Sequence, residues 1–392
     1  MPAEKAPFRL GVNYWPARTA MHWWQRFDPG EVARDFQLIG GAGMDSVRLF
    51  LRWEDFQPRL DRIDPGMLAR LVSVADAAER AGIGIMPTLF TGHMSGVNWL
   101  PTWALGGSTR DERFRIVASD AVVDAGSPRH WFTDAEIGGA QAALATEVAT
   151  ALAGHPALLA WDLGNENSNV IRSLDHEHAR RWLAAMTSAI HRSDPSARVT
   201  IGLHMEDLEE DRGIGPAEAA EACDFLTMHG YPIYAPWAYG PTDEHLVPFL
   251  AGITRWLGGG CDVWFTEFGL PTKRPGDDDL RLVEEADAAR YTAGVLDGLR
   301  GAGCTGAMVW CFADYDLGIW AEPPLDDAPH ERTFGLWRSD GSPKPAVAEI
   351  TGRAGQERLS SPDDGWIDID RATYWKRPAD ELPRLYELYI NR

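Results

Sequence analysis

The sequence predicts an α/β chain folded as a single (β/α)8, or TIM, barrel, and three observations carry the prediction. Eight short apolar segments alternate with helical patterns between residues 8 and 354, the order of a parallel sheet wrapped by helices. Several helices open on legible caps. The first strand ends in GVNYWP, where an open doubly wound sheet would carry a glycine-rich phosphate turn.

The strands are placed at residues 8–14, 45–51, 83–90, 158–163, 199–203, 225–229, 263–268 and 307–312. They resemble strands buried on both faces. Asp28-Pro29 and Asp64-Pro65 are N-caps followed by proline in the first helical position. Leu68, Leu71, Val72, Ala75 and Ala78 then recur at helical spacing and stop at Gly82. A third helix opens at Thr133 or Asp134 and runs to about 154, and Asp175 opens a fourth. Others are placed at 216–222, about 243–257, about 280–301, and from about 343.

The barrel exceeds the roughly 250 residues usual for this fold. The excess lies in long loops after strands three (91–130) and eight (314–341). Residues 1–354 are read as the barrel and 355–392 as a C-terminal extension packed on it, with a strand-like GWIDI piece and a helix near 379–389.

A net charge of −21 argues against nucleic acid and anionic membrane as partners. Residues 1–10 show no signal-peptide core, so a cytoplasmic location is expected of a chain starting here. The four cysteines form no CxxC pair and read as core thiols. Seventeen tryptophans offer flat walls that suit sugar rings. Oligomeric state leaves no mark.

Barrel chemistry sits at the C-terminal ends of strands. In order, those ends offer Asn13, Tyr14 and Trp15; Arg48, then Trp53; His93; Asn165 and Glu166; His204, with Glu206 beyond; His229 and Tyr231; Glu267; and Trp310. Each alone has a structural explanation: an arginine pairs with an acid, a histidine satisfies a hydrogen bond, a tryptophan packs. Together they say more. Glu166 and Glu267 end strands three apart and face each other across the mouth. Two facing carboxylates without a metal cluster suit acetal hydrolysis, one giving a proton and the other attacking the anomeric carbon. Arg48 would keep one of them charged.

This set resembles the retaining β-glycosidases of glycoside hydrolase clan A, family 5 in particular, over roughly residues 8–352. The carriers are Asn165-Glu166, Glu267, Arg48, His229 with Tyr231, and Trp310. The resemblance implies that Glu166 is the acid/base and Glu267 the nucleophile. It implies that Asn165 holds the sugar 2-hydroxyl, that Arg48 and Tyr231 position Glu267, that His229 supports the acid/base and that Trp310 floors the site. His93 matches a strand-three histidine. Trp15, Trp53 and Trp320 are candidate subsite walls by position. Many relatives follow Asn-Glu with proline, where this chain has Asn167-Ser168-Asn169, which bears on the leaving-group side.

The expected activity is exo-acting and β-mannosidase-like, on a short manno-oligosaccharide or a mannose–N-acetylglucosamine linkage, with no cofactor and no metal. The alternatives are an endo-β-mannanase or endoglucanase with an open groove, and a non-catalytic carbohydrate-binding barrel. A metal-dependent hydrolase would want paired histidines after strand one, which Asn13, Tyr14 and Trp15 do not supply. His176 and His178, two apart on a helix, do not share a face.

Overall fold

A computed structural model describes residues 6–107, 113–123, 125–277, 279–359 and 364–392. Eight parallel strands ring one axis: β1 (Arg9–Tyr14), β2 (Ser46–Phe50), β3 (Gly84–Thr88), β4 (Trp161–Asn165), β5 (Val199–Gly202), β6 (Leu226–His229), β7 (Val263–Phe268) and β8 (Gly306–Val309). Pairing runs β5-β4-β3-β2-β1-β8-β7-β6. The Asp224 and His229 N–H groups, donating to the Val199 and Leu203 carbonyls at 2.9 and 2.8 Å, join β6 to β5 and close the ring.

Side chains fill the barrel in layers. Met86, Ala160, Trp264 and Met308 belong to one apolar cluster. Two residues further along each strand the period-two alternation brings Thr88, Asp162, Thr266 and Trp310 to the same side. The lower layer is therefore a plug, and polarity begins directly above it.

The barrel helices are α1 (Pro29–Gly41), α2 (Pro65–Ala81), α3 (Ala135–Ala151), α4 (His176–Ser193), α5 (Pro216–Ala222), α6 (Leu246–Leu257), α7 (Glu285–Gly301) and α8 (Pro345–Thr351). Asp28, Asp64, Asp134 and Asp175 cap their helices by accepting backbone N–H bonds, so Asp134 rather than Thr133 opens α3. Gly82 stops α2 at φ +70°. Two starts fall later than the sequence predicts. Asp243 accepts the His245 N–H and Asp279 the Arg281 N–H, local turns that hold both segments out of the helix.

Two further elements depart from expectation. The loop after β3 is not irregular: His93–Met94, Val97–Trp99, Arg115–Ala118 and Ala121–Val123 form a small sheet, and Leu105–Gly106 pairs with Ser127–Pro128. GWIDI forms no strand, because a closed ring leaves no free edge beside it. Trp366 instead packs against Phe249 and edge-on to Tyr389, at 5.8 and 5.3 Å. The last helix, α9 (Pro378–Ile390), lies against α6 through Tyr386 on Phe249 at 4.9 Å. Tyr374 donates to the Leu208 carbonyl at 2.6 Å. Among the described residues no helix is long and apolar enough to cross a membrane.

Candidate active site

Arg48 organises the barrel mouth from below. It is fully buried. Nε and Nη2 reach Asp162 at 2.8 and 2.7 Å. Nη2 also donates to Asn165 at 2.8 Å, and Nη1 to Asn13 at 3.2 Å and to Glu267. Burial works against this charge, but Asp162 and Glu267 overcome it and leave the guanidinium above its ordinary pKa. Asp162 also accepts from Thr88 and from the Gly202 N–H, each at 2.8 Å. It takes two guanidinium nitrogens of Arg48, which leaves Nη1 for Glu267.

Glu267, near the end of β7, is 4% exposed. Its second oxygen accepts from Tyr231 at 2.8 Å. Burial first, and then Glu267, push the Tyr231 hydroxyl well above its ordinary pKa, so it remains a donor. Glu166 sits one residue past β4, with its N–H on the Gly202 carbonyl at 3.0 Å and a left-handed φ of +50°. That turn ends the strand and lifts the carboxyl into the mouth.

His229 lies between the two acids. Nδ1 is 3.0 Å from Glu166 and 3.6 Å from Glu267, and Nε2 is 3.1 Å from the Thr266 hydroxyl. Burial lowers its pKa to about 3, so it is neutral at ordinary pH. A Thr266 hydroxyl donating to Nε2 places the ring proton on Nδ1, facing Glu166. One atom each of Glu166, His229 and Glu267 lie within 4.8 Å of one another. That spacing would also admit a cation, but Arg48 already supplies the positive charge at Glu267.

The carboxylates open into a cavity of about 460 Å³, within the roughly 300–1,000 Å³ usual for small-molecule sites. His93, Asn165, Glu166, His229, Tyr231, Glu267 and Trp310 line it. Arg48 lies beneath. His93 Nδ1 is 2.8 Å from Asn98, and its carbonyl accepts the Asn165 amide at 2.6 Å. The three other tryptophans do not join them. Trp15 stacks on Phe50 at 4.9 Å and Trp53 packs against Phe90 and Trp103, both nearly fully buried. Trp320 lies under the Arg274 and Arg332 guanidiniums, at 4.1 and 4.5 Å. A tryptophan just past a strand faces the barrel–helix layer as readily as the mouth, and sequence position does not separate the two.

Asp162 and Glu331 carry no prediction from the sequence, and Asn167-Ser168-Asn169 is marked there only as a departure on the leaving-group side. Asp162 had a signal: a charged residue inside an apolar strand, as the partner a buried Arg48 requires. Asn167-Ser168-Asn169 forms a helical turn in which Asn169 donates to Glu166 at 3.2 Å and accepts from Arg212 at 2.9 Å, while Ser168 donates to Asp207. Burial raises Asp207 to about 6. Glu331, in the loop after β8, reaches the cavity wall with no local signal at all. Burial pushes it up to about 7, against hydrogen bonds from Ser95 and Tyr234.

No protein-family model and no curated protein sequence matches the chain. Solved structures do. A GH5_18 from Streptomyces cattleya in complex with GlcNAc superposes at a TM-score of 0.81, with 22% identity, over 99% of this chain and 91% of that one. The fold is that of the clan A, family 5-like glycoside hydrolases. A variant of the GH5_18 from the same organism, in complex with Manβ1-4GlcNAc, matches at 0.80 with 23% identity, over 98% and 91%. The exo-β-1,4-mannosidase Op5Man5 from Opitutaceae bacterium strain TAV5 matches at 0.74 with 27% identity, over 91% of this chain and 61% of its own length. The GH5_18 likeness extends past α8 into the C-terminal tail, since it spans nearly the whole chain.

Proposed function

We propose that the protein is a retaining β-glycoside hydrolase, exo-acting and β-mannosidase-like, on a short oligosaccharide such as a mannose–N-acetylglucosamine linkage. The observation that carries the reading is the pair Glu166 and Glu267, with oxygens within 4.8 Å of each other. Retaining enzymes hold their carboxyl groups about 5–5.5 Å apart, and inverting ones about 6.5–9.5 Å to admit a water.

In the first step the Glu267 carboxylate attacks C1 of the sugar. The C1–O bond to the leaving group breaks, and Glu166 gives that oxygen its proton. In the second step Glu166 takes a proton from water, the water oxygen bonds to C1, and the bond to Glu267 breaks. Arg48 and Tyr231 hold Glu267 for attack, His229 steadies Glu166, and Asn165 faces the sugar beside the acid/base. Trp310 supplies the floor.

Exo action is supported by the walls. The loop after β3 brings Ser95 and Phe114 to one side of the cavity, and the loop after β8 brings His330, Glu331 and Phe334 to another. A mannose-type substrate is supported by the ligand and the name of the solved neighbours. In this reading residues 1–354 are the catalytic barrel and 355–392 a brace on its outer helices.

The test is a panel of aryl β-mannoside, glucoside, galactoside and xyloside with wild type and Glu267→Ala, following the anomer first released by NMR. Cleavage of the mannoside with retention, abolished in the variant, is expected. Release of the inverted anomer, or undiminished turnover by Glu267→Ala, refutes the mechanism.

A further inference from the structure

Besides Glu166 and Glu267, two carboxylates that hydrolysis does not use line the cavity, Glu206, which is paired with Arg113 and Arg212, and Glu331. Glu331 is 6% exposed and lines the same cavity as Glu166 and Glu267. Its hydrogen-bond donors are neutral. Ser95 donates to one oxygen at 2.9 Å and Tyr234 to the other at 3.2 Å. His330, which burial holds down to about 4, has its Nε2 at 2.7 Å from the Tyr234 hydroxyl. Trp310, under the reactive sugar in the proposed mechanism, also reaches the Glu331 carboxylate. Tyr231, on the nucleophile, packs near Tyr234 and Phe334 at 5.8 and 5.9 Å. Glu331 therefore sits on the Glu267 side of the cavity, where the glycone lies, and not beside Asn169 and Arg212 on the far side of Glu166.

A carboxylate offers about four acceptor positions; Ser95 and Tyr234 fill one on each oxygen, and Trp310 reaches a third. The acceptor capacity that remains lies on a residue lining the cavity. A buried acceptor of this kind is costly to leave unmet, and a sugar brings hydroxyl donors to that place. Resting on the glycosidase reading, we infer that Glu331 determines glycone specificity: it accepts hydrogen bonds from hydroxyl groups of a neutral terminal sugar and turns away sugars that carry a carboxylate. Above about pH 7, where Glu331 is ionised, a uronic acid would set its own anion against it, with Glu267 close behind, and the like charges disfavour it. A neutral hexose meets acceptors on this wall. A residue substituted on those hydroxyls, as in the interior of a polymer, would lose them, so the same contact favours an unsubstituted chain end.

The experiment needs no variant for its first half. Wild type is assayed at about pH 8, above the Glu331 pKa of about 7, on the aryl β-mannoside and on its 3-, 4- and 6-deoxy analogues, and on the corresponding aryl β-mannuronide. At one or more positions removal of the hydroxyl should lower kcat/KM by about ten- to a hundredfold, the range for a hydrogen bond to a charged group. In Glu331→Gln, nearly the same shape, that deoxy penalty should shrink to less than about threefold, while the mannuronide, not turned over by wild type, gains measurable turnover. A general loosening would instead lower activity equally on parent and deoxy substrates. That result, or an unchanged deoxy penalty, overturns the role of Glu331 and leaves the hydrolase standing. A wild type that cleaves no member of the panel refutes the glycosidase reading and this inference together.

Discussion

Lys344, whose Nζ is buried behind the cavity wall, should be worth several kcal/mol. It is 4% exposed and sits just before α8. Its ammonium donates to Asp314 at 2.6 Å, to the Thr272 hydroxyl at 2.7 Å and to the Thr333 carbonyl at 3.0 Å. In Lys344→Met, Thr333 keeps the Thr272 N–H and hydroxyl as donors, at 3.1 and 3.2 Å. Only Asp314 is stranded, retaining the Gly335 N–H at 2.9 Å. Breaking a buried pair from one side costs about 3–5 kcal/mol, because a charge is left without compensation. Burial already raises the Asp314 pKa and lowers that of Lys344, so the pair itself is no large source of stability. Lys344→Met with Asp314→Asn should therefore recover at least about 2 kcal/mol, since the amide still accepts from Gly335 and carries no charge. The sign with pH follows. A carboxyl whose folded pKa lies above its unfolded value weakens the fold once ionised, so the single variant's deficit is largest near neutrality and shrinks as pH falls toward the carboxylate range. Urea unfolding followed by tryptophan fluorescence measures all three chains. A single variant within about 1 kcal/mol of wild type, or a double variant no more stable than the single, would refute the reasoning.

Three further outcomes concern the mouth. Glu166→Ala should lower kcat by about 10²–10⁴ on a poor leaving group and much less on a nitrophenyl one, with azide restoring turnover as a β-glycosyl azide; chromatography of the product decides. Tyr231→Phe removes the 2.8 Å bond to Glu267, worth about 1.5–3 kcal/mol, so kcat/KM should fall about ten- to a hundredfold with little change in melting temperature. Glu331 has a folded pKa of about 7, above its unfolded value. It is protonated in both states well below pH 4, and its ionisation destabilises the fold as pH rises to 7. Glu331→Gln should thus gain on wild type by up to about 1.4 kcal/mol per pH unit across that window and plateau above it, in a series of thermal melts.

The parts of the molecule legible from sequence are those governed by short-range rules. The caps at Asp28, Asp64, Asp134 and Asp175 act on the next few N–H groups, so local reading finds them. The eight strands are buried on both faces and show as apolar runs. Glu166 and Glu267 were legible because a barrel delivers every strand end to one place. What escaped depends on contacts made far away in the chain. Ser95, Tyr234 and Glu331 come from the loops after β3, β6 and β8, and nothing near Glu331 marks it as buried. The small sheet after β3 is built from strands of two to four residues, too short for a periodicity to register. Trp15 and Trp53 carried the composition of sugar platforms but were claimed by packing, since an indole serves either purpose. GWIDI had the pattern of a strand, but strand formation needs an edge, and the closed ring has none.

The backbone at Glu166 has a consequence for how this chain changes over generations. A glutamate held at φ +50° and ψ +49° occupies a conformation that costs a residue with a Cβ about 1 kcal/mol or more, and that glycine or asparagine adopts more readily. Random substitution therefore has an inviting exit here: two residue types would relax the turn and strengthen the fold while deleting the acid. A lineage kept only for a barrel that holds sugars would drift through that exit, because nothing would oppose it. On the proposed mechanism, the glutamate standing in this strained position gives up fold stability for turnover.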